Sequence, residues 1–359
     1  MWKSTEVSRR LNLAAPIIQG PFGGGLSSVE LVVAVCEAGG LGSFGVHHLA
    51  GAQIREVAHN IRSRTQRPFA LNLWIPFQDS EHPSLSAEEF ARNVERLTPY
   101  YNELGMPPPV RPERFTPSYA EQVEAVLEAR PAAFSFVYGV PSAEVLRRCR
   151  ELEIVTIGAA TTADEALALE RAGVDLIVAT GFEAGGHRVS FLRAAEHSLT
   201  GTFALVPQVV DAVKVPVIAA GGIADGRGIA AALALGAQGV QIGTAFLACA
   251  ESAASEVHRR MLFSPEAKHT ALTRAFSGRL ARGIRNRFID ELRAEEANLP
   301  QYPVQNWFTG AIKAAAIAQD RADLISLWAG QAAPLLRHRD AQALMQALLE
   351  EASAVLDRA

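Results

Sequence analysis

Short apolar runs bounded by glycine or proline alternate with helical stretches along most of the 359 residues. Most of these runs show no two-residue alternation, which is typical of parallel strands buried on both faces. The eight runs span residues 15–21, 40–45, 68–74, 132–139, 154–160, 174–181, 216–222 and 239–244. Eight strand–helix repeats predict an α/β fold, a (β/α)8 TIM barrel, with an open doubly wound sheet as the alternative.

Two segments depart from the repeat. An insertion at about 76–118 follows the third predicted strand; it contains a helical piece near 87–97 and a proline-rich stretch at 106–117. Loops that follow barrel strands lie at the face where active sites form, so we expect the insertion there. The predicted division is a barrel over residues 1–250 and a C-terminal helical segment over 251–359, packed on the barrel as a cap.

Composition excludes several classes of protein. The net charge of −4 lacks the basic excess of a nucleic-acid footprint. Three scattered cysteines (Cys36, Cys149 and Cys249) are too few for a disulfide framework or a zinc site, and no H-E-x-x-H motif occurs, so we predict no metal. With no apolar signal core and no apolar run long enough to span a membrane, we expect a cytoplasmic protein.

Glycines end the last two predicted strands. The seventh ends in Ala220, Gly221 and Gly222, and the eighth in Gln241, Ile242, Gly243 and Thr244. The loops after these strands of a barrel often bind phosphate through outward-pointing N–H groups. Glycine lets a phosphate oxygen approach the backbone, and Thr244 adds a hydroxyl donor. The alternative is that these glycines only turn the chain.

A histidine follows the sixth predicted strand. Thr180 lies near the end of that strand, and Gly185 and Gly186 precede His187 directly. With an ordinary pKa of about 6.5, a histidine at the mouth of a barrel suits proton transfer as a general base, or acts as an electrostatic partner. The alternative is a loop histidine that caps a helix.

Two further positions could contact a bound ring. Pro21, Phe22 and Gly23 begin a glycine-rich loop after the first strand, which is either a surface for a flat ring or only a permissive turn. Asn72, near the end of the third strand, could hydrogen-bond a cofactor edge or cap the insertion. No G-x-S-x-G or nucleotide-binding glycine motif is present, so nucleophilic and dinucleotide chemistry are not indicated.

Four motifs together resemble the nitronate monooxygenase family, formerly called 2-nitropropane dioxygenases. They are EAGGHR at 183–188, PVIAAGGI with DGRG at 216–228, GVQIGTAFL at 239–247 and SLWAGQ at 326–331. The resemblance covers about residues 15–331. It implies an FMN-dependent barrel that oxidises nitronates, or neutral nitroalkanes, with O2 to a carbonyl compound and nitrite, by electron transfer from the nitronate to the flavin.

The resemblance also implies roles for particular residues. It assigns the FMN phosphate to Gly222 and residues 241–244, and it makes His187 the catalytic histidine. The histidine would take a proton from a neutral nitroalkane or assist an anionic nitronate. The cofactor-binding set it implies is Pro21, Phe22, Gly23, Asn72, Thr180, Gly185, Gly186, Ala220, Gly221, Gly222, Gln241, Ile242, Gly243 and Thr244.

The chain departs from the family pattern at several positions. Phe22 replaces a common methionine, and Thr180 stands where glutamine is frequent. Tyr302 matches a tyrosine found in members that act on propionate 3-nitronate, and Tyr302 and Asn306 are the candidate substrate residues. Asn306 and Gly310, however, occupy the places of a second tyrosine and a lysine. The missing positive charge argues against a carboxylate-bearing substrate, although Lys313 lies one turn further on.

Two other functions compete with nitronate oxidation. An FMN-dependent enoyl-thioester (enoyl-ACP) reductase resembles this family in its barrel and phosphate site, but it would need an NAD(P)H site for which no motif is visible. A flavin-binding regulatory barrel without turnover would have no need of His187. The expected partners are therefore a small nitronate or nitroalkane and O2, with a homodimer through the C-terminal helices.

Overall fold

The computed structural model describes residues 2–77 and 85–357, and a closed parallel sheet forms its centre. The barrel strands are Ile17–Gln19 (β1), Gly42–Gly45 (β2), Phe69–Trp74 (β3), Ala133–Val137 (β4), Val155–Ala160 (β5), Leu176–Thr180 (β6), Val217–Ala220 (β8) and Gly239–Ile242 (β9). A separate small sheet contains Gly186–His187 (β7), Thr270–Thr273 (β10) and Ala281–Ile284 (β11). The barrel strands follow the order β1-β9-β8-β6-β5-β4-β3-β2, and a parallel bridge from Ile18 to Leu41 joins the two ends. The predicted TIM barrel is confirmed, and the open sheet is excluded.

Helices surround the barrel, and many begin at a side-chain cap such as Ser28, Ser142, Thr162 or Asp225. They are Glu6–Arg10 (α1), Val29–Glu37 (α2), Gly51–Arg62 (α3), Ala87–Glu103 (α4), Tyr119–Ala129 (α5), Ala143–Glu151 (α6), Ala163–Arg171 (α7), Thr202–Ala212 (α8), Gly226–Ala234 (α9), Thr244–Leu247 (α10), Glu256–Leu262 (α11), Arg287–Leu292 (α12), Val304–Ala318 (α13) and Ala341–Leu356 (α14). None of these helices is long and apolar enough to cross a membrane.

The last helix lies in the outer ring. Helix α14 packs against both α9 and α2, which follow the seventh and the first barrel strands. It thereby supplies the helix of the eighth strand–helix unit, β9 being the eighth barrel strand. After β9 and the short helix α10, residues 248–340 form the long connection that leads to α14. The division of the chain near residue 250 stays a prediction.

The insertion and the C-terminal segment contact each other at the carboxyl ends of the strands. Helix α4 confirms the helical piece that was predicted in the insertion, while residues 78–84 lie outside the described ranges. The Tyr101 hydroxyl donates to the Phe308 carbonyl of α13 at 2.8 Å. The C-terminal segment also contains strands β10 and β11, and β11 pairs with β7. No strand was predicted in this segment, so the hairpin is a feature that the sequence did not indicate.

Apolar side chains fill the barrel and close its lower end. Ile18, Ile157, Val178 and Ile218 belong to one buried cluster, to which Val7 of α1 also belongs. Because the interior is packed with side chains, it offers no pore, and a ligand must bind at a rim. The carboxyl-end rim carries all of the loops singled out from the sequence.

Candidate active site

The ends of β8 and β9 leave an open cradle in the backbone. A Cβ added at Gly243 would have a Phe22 ring carbon as its nearest neighbour, at 3.9 Å, and one at Gly222 would lie 3.6 Å from Glu183. Neither the Gly222 N–H nor the Gly243 N–H donates to a described residue. Free donors beside empty space suit an anion such as a phosphate.

Thr244 connects this cradle to the late SLWAGQ segment. Its hydroxyl oxygen accepts a hydrogen bond from the Gly330 N–H at 2.9 Å, which leaves the hydroxyl proton free to be donated. The Gln331 N–H donates to the Glu183 carbonyl at 2.9 Å. A Cβ at Gly185 would lie 2.6 Å from the Ala329 carbonyl carbon, so glycine is required there by packing. Three of the motifs therefore meet in one place.

His187 lies next to these loops, on β7. Its ring nitrogen Nε2 is 2.8 Å from the Ser277 hydroxyl, and that hydroxyl donates to the Arg279 carbonyl at 3.1 Å. With its only proton used there, the hydroxyl accepts from Nε2–H, and the histidine lone pair is on Nδ1. The rings of Trp74 and Trp328 lie 4.9 and 5.3 Å from the His187 ring.

The surroundings keep His187 neutral. Burial lowers the pKa of His187 to about 3, and the positive charges of Arg279 and Lys313 act in the same direction. The imidazole is therefore unprotonated at neutral pH in the ligand-free protein. This state suits a proton acceptor, whereas an imidazolium that attracts an anion would have to be formed first.

The first-strand loop and Asn72 are held by the scaffold. Phe22 is buried, and the Ser27 hydroxyl donates to its carbonyl at 2.9 Å while accepting from its N–H at 3.2 Å. Gly23 faces His47 so closely that a Cβ would lie 2.5 Å from its ring. The Asn72 amide donates to the Ser135 hydroxyl at 3.0 Å, between β3 and β4. Pro21 is half-buried at the start of the same loop.

The two charged residues of the EAGGHR motif have structural contacts. The Glu183 carboxylate accepts from the Thr202 N–H at 2.9 Å and from its hydroxyl, also at 2.9 Å, at the start of α8. Arg188 is 2% exposed and donates to the carbonyls of Thr180, Gly181 and Ser198. These contacts fix the loop that carries His187 between them.

The candidate substrate residues are brought near the same rings. Tyr302 lies 5.2 Å from Trp74 between ring centroids, and the Asn306 side-chain oxygen accepts from Lys313 Nζ at 3.0 Å. Burial lowers the pKa of Lys313 to about 8. Gly310 has open space where a Cβ would be. A cation is therefore present in this region despite the departure at position 310.

No local pattern in the sequence marks three neighbours of His187, which were therefore not predicted. Ser277, Arg279 and Trp328 come from the C-terminal segment, some ninety residues or more beyond the histidine. In the described residues, no group of three or more His, Cys, Asp or Glu side chains is arranged to hold a metal ion.

A family model described as nitronate monooxygenase matches residues 6–351. The chain belongs to the nitronate monooxygenase family. A probable nitronate monooxygenase from Staphylococcus haemolyticus is 37% identical to it over 99% of both chains. The protein is thus an oxidoreductase, from a family whose members are flavin-dependent.

Solved structures agree with this membership. Nitroalkane oxidase from Streptomyces ansochromogenes superposes with a TM-score of 0.86 at 34% identity, covering 98% of this chain and 99% of that one. FabK from Thermotoga maritima has a TM-score of 0.76 at 26% identity, covering 99% and 98%. This member of the nitronate monooxygenase family therefore shares its whole architecture with both, including the C-terminal segment.

Proposed function

We propose that the protein uses FMN to oxidise nitronates with O2 to a carbonyl compound and nitrite. The observation that carries the proposal is the cradle at Gly222 and Gly243, which joins free N–H donors to open space beside His187's loop. One such cradle fits the single phosphate of FMN, and the family membership supports the chemistry. Bound there, the flavin would supply the electron-accepting and oxygen-reacting chemistry.

The residues around the cradle would hold and orient the flavin. Gly222 and residues 241–244 would bind the phosphate, with the Thr244 proton available as a further donor. The ring would lie near Pro21, Phe22 and Asn72, close to Gly185. The remaining loop positions (Gly23, Thr180, Gly186, Ala220 and Gly221) would complete this surface.

The role proposed for His187 is that of a neutral base. Its Nδ1 lone pair could take a proton from the carbon next to the nitro group of a neutral substrate. Ser277 would hold the ring in the required tautomer, since its hydroxyl accepts from Nε2–H. Trp74 and Trp328 pack against the imidazole and would limit the access of water to it.

Two measurements test the proposal. The purified protein should be yellow, and the released flavin should co-elute with FMN on chromatography. Ethyl nitronate with air should then yield nitrite and acetaldehyde. FAD in place of FMN, no flavin after reconstitution, or no nitrite from any nitronate would contradict it. A homodimer and a cytoplasmic location stay predictions.

The similarity to FabK keeps one alternative open to experiment, the enoyl-thioester reductase. Anaerobic mixing with NADH separates the two functions. A reductase would bleach its flavin promptly, while a nitronate oxidase would keep the oxidised spectrum until a nitronate is added.

A further inference from the structure

Arg279 is a buried cation enclosed by aromatic rings. It is 8% exposed, and its guanidinium carbon lies 3.9 Å from the ring centroid of Tyr138 and 4.5 Å from that of Tyr302. Phe77 and Trp74 approach it at 4.6 and 5.8 Å. Ring faces attract a guanidinium and hold it in place, but they leave its N–H groups unused.

One guanidinium nitrogen lacks a partner. Arg279 Nη1 is buried and makes no hydrogen bond to a described residue, and no described carboxylate forms an ion pair with this side chain. Other buried arginines differ in degree: Arg188 leaves only its Nε unpaired and donates to three carbonyls, and Arg282 donates to the Phe182 carbonyl and the Thr270 hydroxyl. An unsatisfied buried donor on a charged group is costly and indicates a missing acceptor.

The unpaired guanidinium lies beside the histidine. The Ser277 hydroxyl contacts both residues, since it accepts from the backbone N–H of Arg279 at 3.2 Å and lies 2.8 Å from His187 Nε2. Trp74 contacts both side chains as well. Arg279 lines a cavity of about 890 Å³ on one side and a smaller one, with Trp74 and Tyr302, on the other. A ligand entering from either cavity would meet the guanidinium.

The chemistry of the substrate matches this group. A nitronate carries its negative charge on two oxygens in one plane, with nearly the geometry of a carboxylate. A guanidinium binds such a pair of oxygens with two parallel hydrogen bonds. We propose that Arg279 binds the two nitronate oxygens and so selects the anionic substrate over the neutral nitroalkane. The inference rests on the proposed function and assigns the charge recognition to Arg279 rather than to His187.

The adjacent hydroxyl favours the same ligand. Tyr138 Oη is buried beside Arg279 and makes no hydrogen bond of good geometry to a described residue, and Tyr138 itself has a φ of 71°, a conformation that costs a non-glycine residue energy. Because the two side chains are neighbours, both could donate to one acceptor group of a ligand. Lys313 adds a second positive charge near His187. The site is therefore positive where the substrate is negative.

The test compares Arg279→Gln and Arg279→Lys in the flavin-loaded enzyme. Propionate, the unreactive carboxylate counterpart of ethyl nitronate, serves as the probe, and its binding is followed by tryptophan fluorescence and by competitive inhibition. Arg279→Gln should raise both the propionate dissociation constant and the KM for ethyl nitronate ten- to a hundredfold, with little change in the KM for nitroethane. Arg279→Lys should lie between, because it keeps the charge but loses the paired donors.

The matched control is Arg193→Gln. Arg193 lines the same large cavity, but it is exposed and paired with Asp164. This variant should leave both constants unchanged. Flavin content and circular dichroism of each variant show whether it is folded, and Arg279→Lys keeps most of the packing if Arg279→Gln does not fold.

The outcomes separate this inference from the proposed function. Nitrite production with unchanged propionate and nitronate constants in both variants would overturn the role of Arg279 alone. Propionate binding that depends on Arg279, in a wild-type protein that makes no nitrite, would overturn the proposed function and leave an anion site. Equal loss of affinity for ethyl nitronate and nitroethane would show that Arg279 acts through the shape of the pocket, and would also overturn the inference.

Discussion

At the residue scale, the state of His187 is decided by its neighbours. An isolated histidine titrates near pH 6.5, whereas burial lowers the pKa of this one to about 3. It would therefore gain a proton only as the pH falls toward 3. In the proposed site, His187 is the neutral base and Arg279 is the cation that binds the anionic substrate, so no imidazolium is needed for anion binding.

His187→Asn tests this division. The variant should lose activity on neutral nitroalkanes by roughly 10²–10⁴-fold, the usual contribution of a positioned base. It should keep much more of its activity on pre-formed nitronates, which have already lost the proton. Nitrite release is measured on both substrate forms from pH 6 to 9, with the exposed His197→Asn as control.

The pH profile supplies a second criterion. Activity of the wild type on a neutral nitroalkane should show no loss centred near pH 6.5, because His187 is already unprotonated there. Unchanged rates of His187→Asn on both substrate forms would remove the histidine from the mechanism. Equal losses on both forms with lower stability would make it a structural residue.

The two cradle glycines are not equivalent. Gly222 has a φ of +72°, so any side chain there is strained, but Gly243 has an ordinary φ of −99°. Gly243→Leu should therefore weaken FMN binding by about tenfold or more, because its side chain would occupy the path of the phosphate. Flavin fluorescence gives the affinity, and urea unfolding of the flavin-free protein should remain near the wild type.

Gly222→Ala is the comparison for this prediction. It should destabilise the protein by about 1 kcal/mol with or without flavin, because alanine tolerates a positive φ poorly. Full retention of FMN by Gly243→Leu would place the phosphate elsewhere.

At the element scale, the loop after β6 is held in place by its hydrogen bonds to the start of α8. Glu183 supplies the acceptor for the first N–H of that helix, which would otherwise be unsatisfied. The motif that contains His187 thus includes Glu183, whose observed contacts hold the loop to α8. We expect its contribution to be to stability and not to the reaction.

Glu183→Ala should lower the free energy of unfolding by about 1–2 kcal/mol, since the start of α8 loses its cap. Glu183→Gln keeps one acceptor oxygen and should cost less. Urea unfolding measures both, and nitrite formed per bound flavin should stay near the wild-type value. A loss of turnover in Glu183→Gln at unchanged stability would instead assign the carboxylate to the reaction.

At the scale of the whole molecule, the two ends of the chain complete one barrel. Helix α14 covers the gap between α2 and α9 with buried side chains that include Leu344, Met345 and Leu348. The connection that precedes it carries Ser277, Arg279 and Trp328 to the rim. The last helix therefore anchors both ends of the segment that surrounds His187.

Leu348→Ala should cost about 2–5 kcal/mol, because the side chain is 1% exposed and its removal leaves a cavity. Leu349→Ala, on the next and only partly buried position, is the matched control and should cost clearly less. Thermal and urea unfolding give the comparison. Equal small effects of the two would mean that α14 contributes little to closing the ring.

The eight strands and the positions of the glycine-rich ends could be predicted because they are local properties. A buried parallel strand is an apolar run of a few residues, and a strand end needs a glycine where the backbone turns or is approached. His187 could be predicted as a site residue for the same reason, since its glycines and the strand before it are adjacent in sequence. The packing role of Gly185 could not be predicted, because the Ala329 backbone against which it packs is far away in the chain.

The tertiary structure alone decided what surrounds the histidine. Ser277 is 90 residues from His187, and the two meet only because β11 pairs with β7. Arg279 pairs with no carboxylate among the described residues, and its ring cage comes from separate strands and loops. Local patterns report which element forms, but the charge and protonation of a site depend on groups that chain folding brings together. The sequence therefore determined the barrel and its rim, while the electrostatics of the rim followed from the C-terminal segment folding back over it.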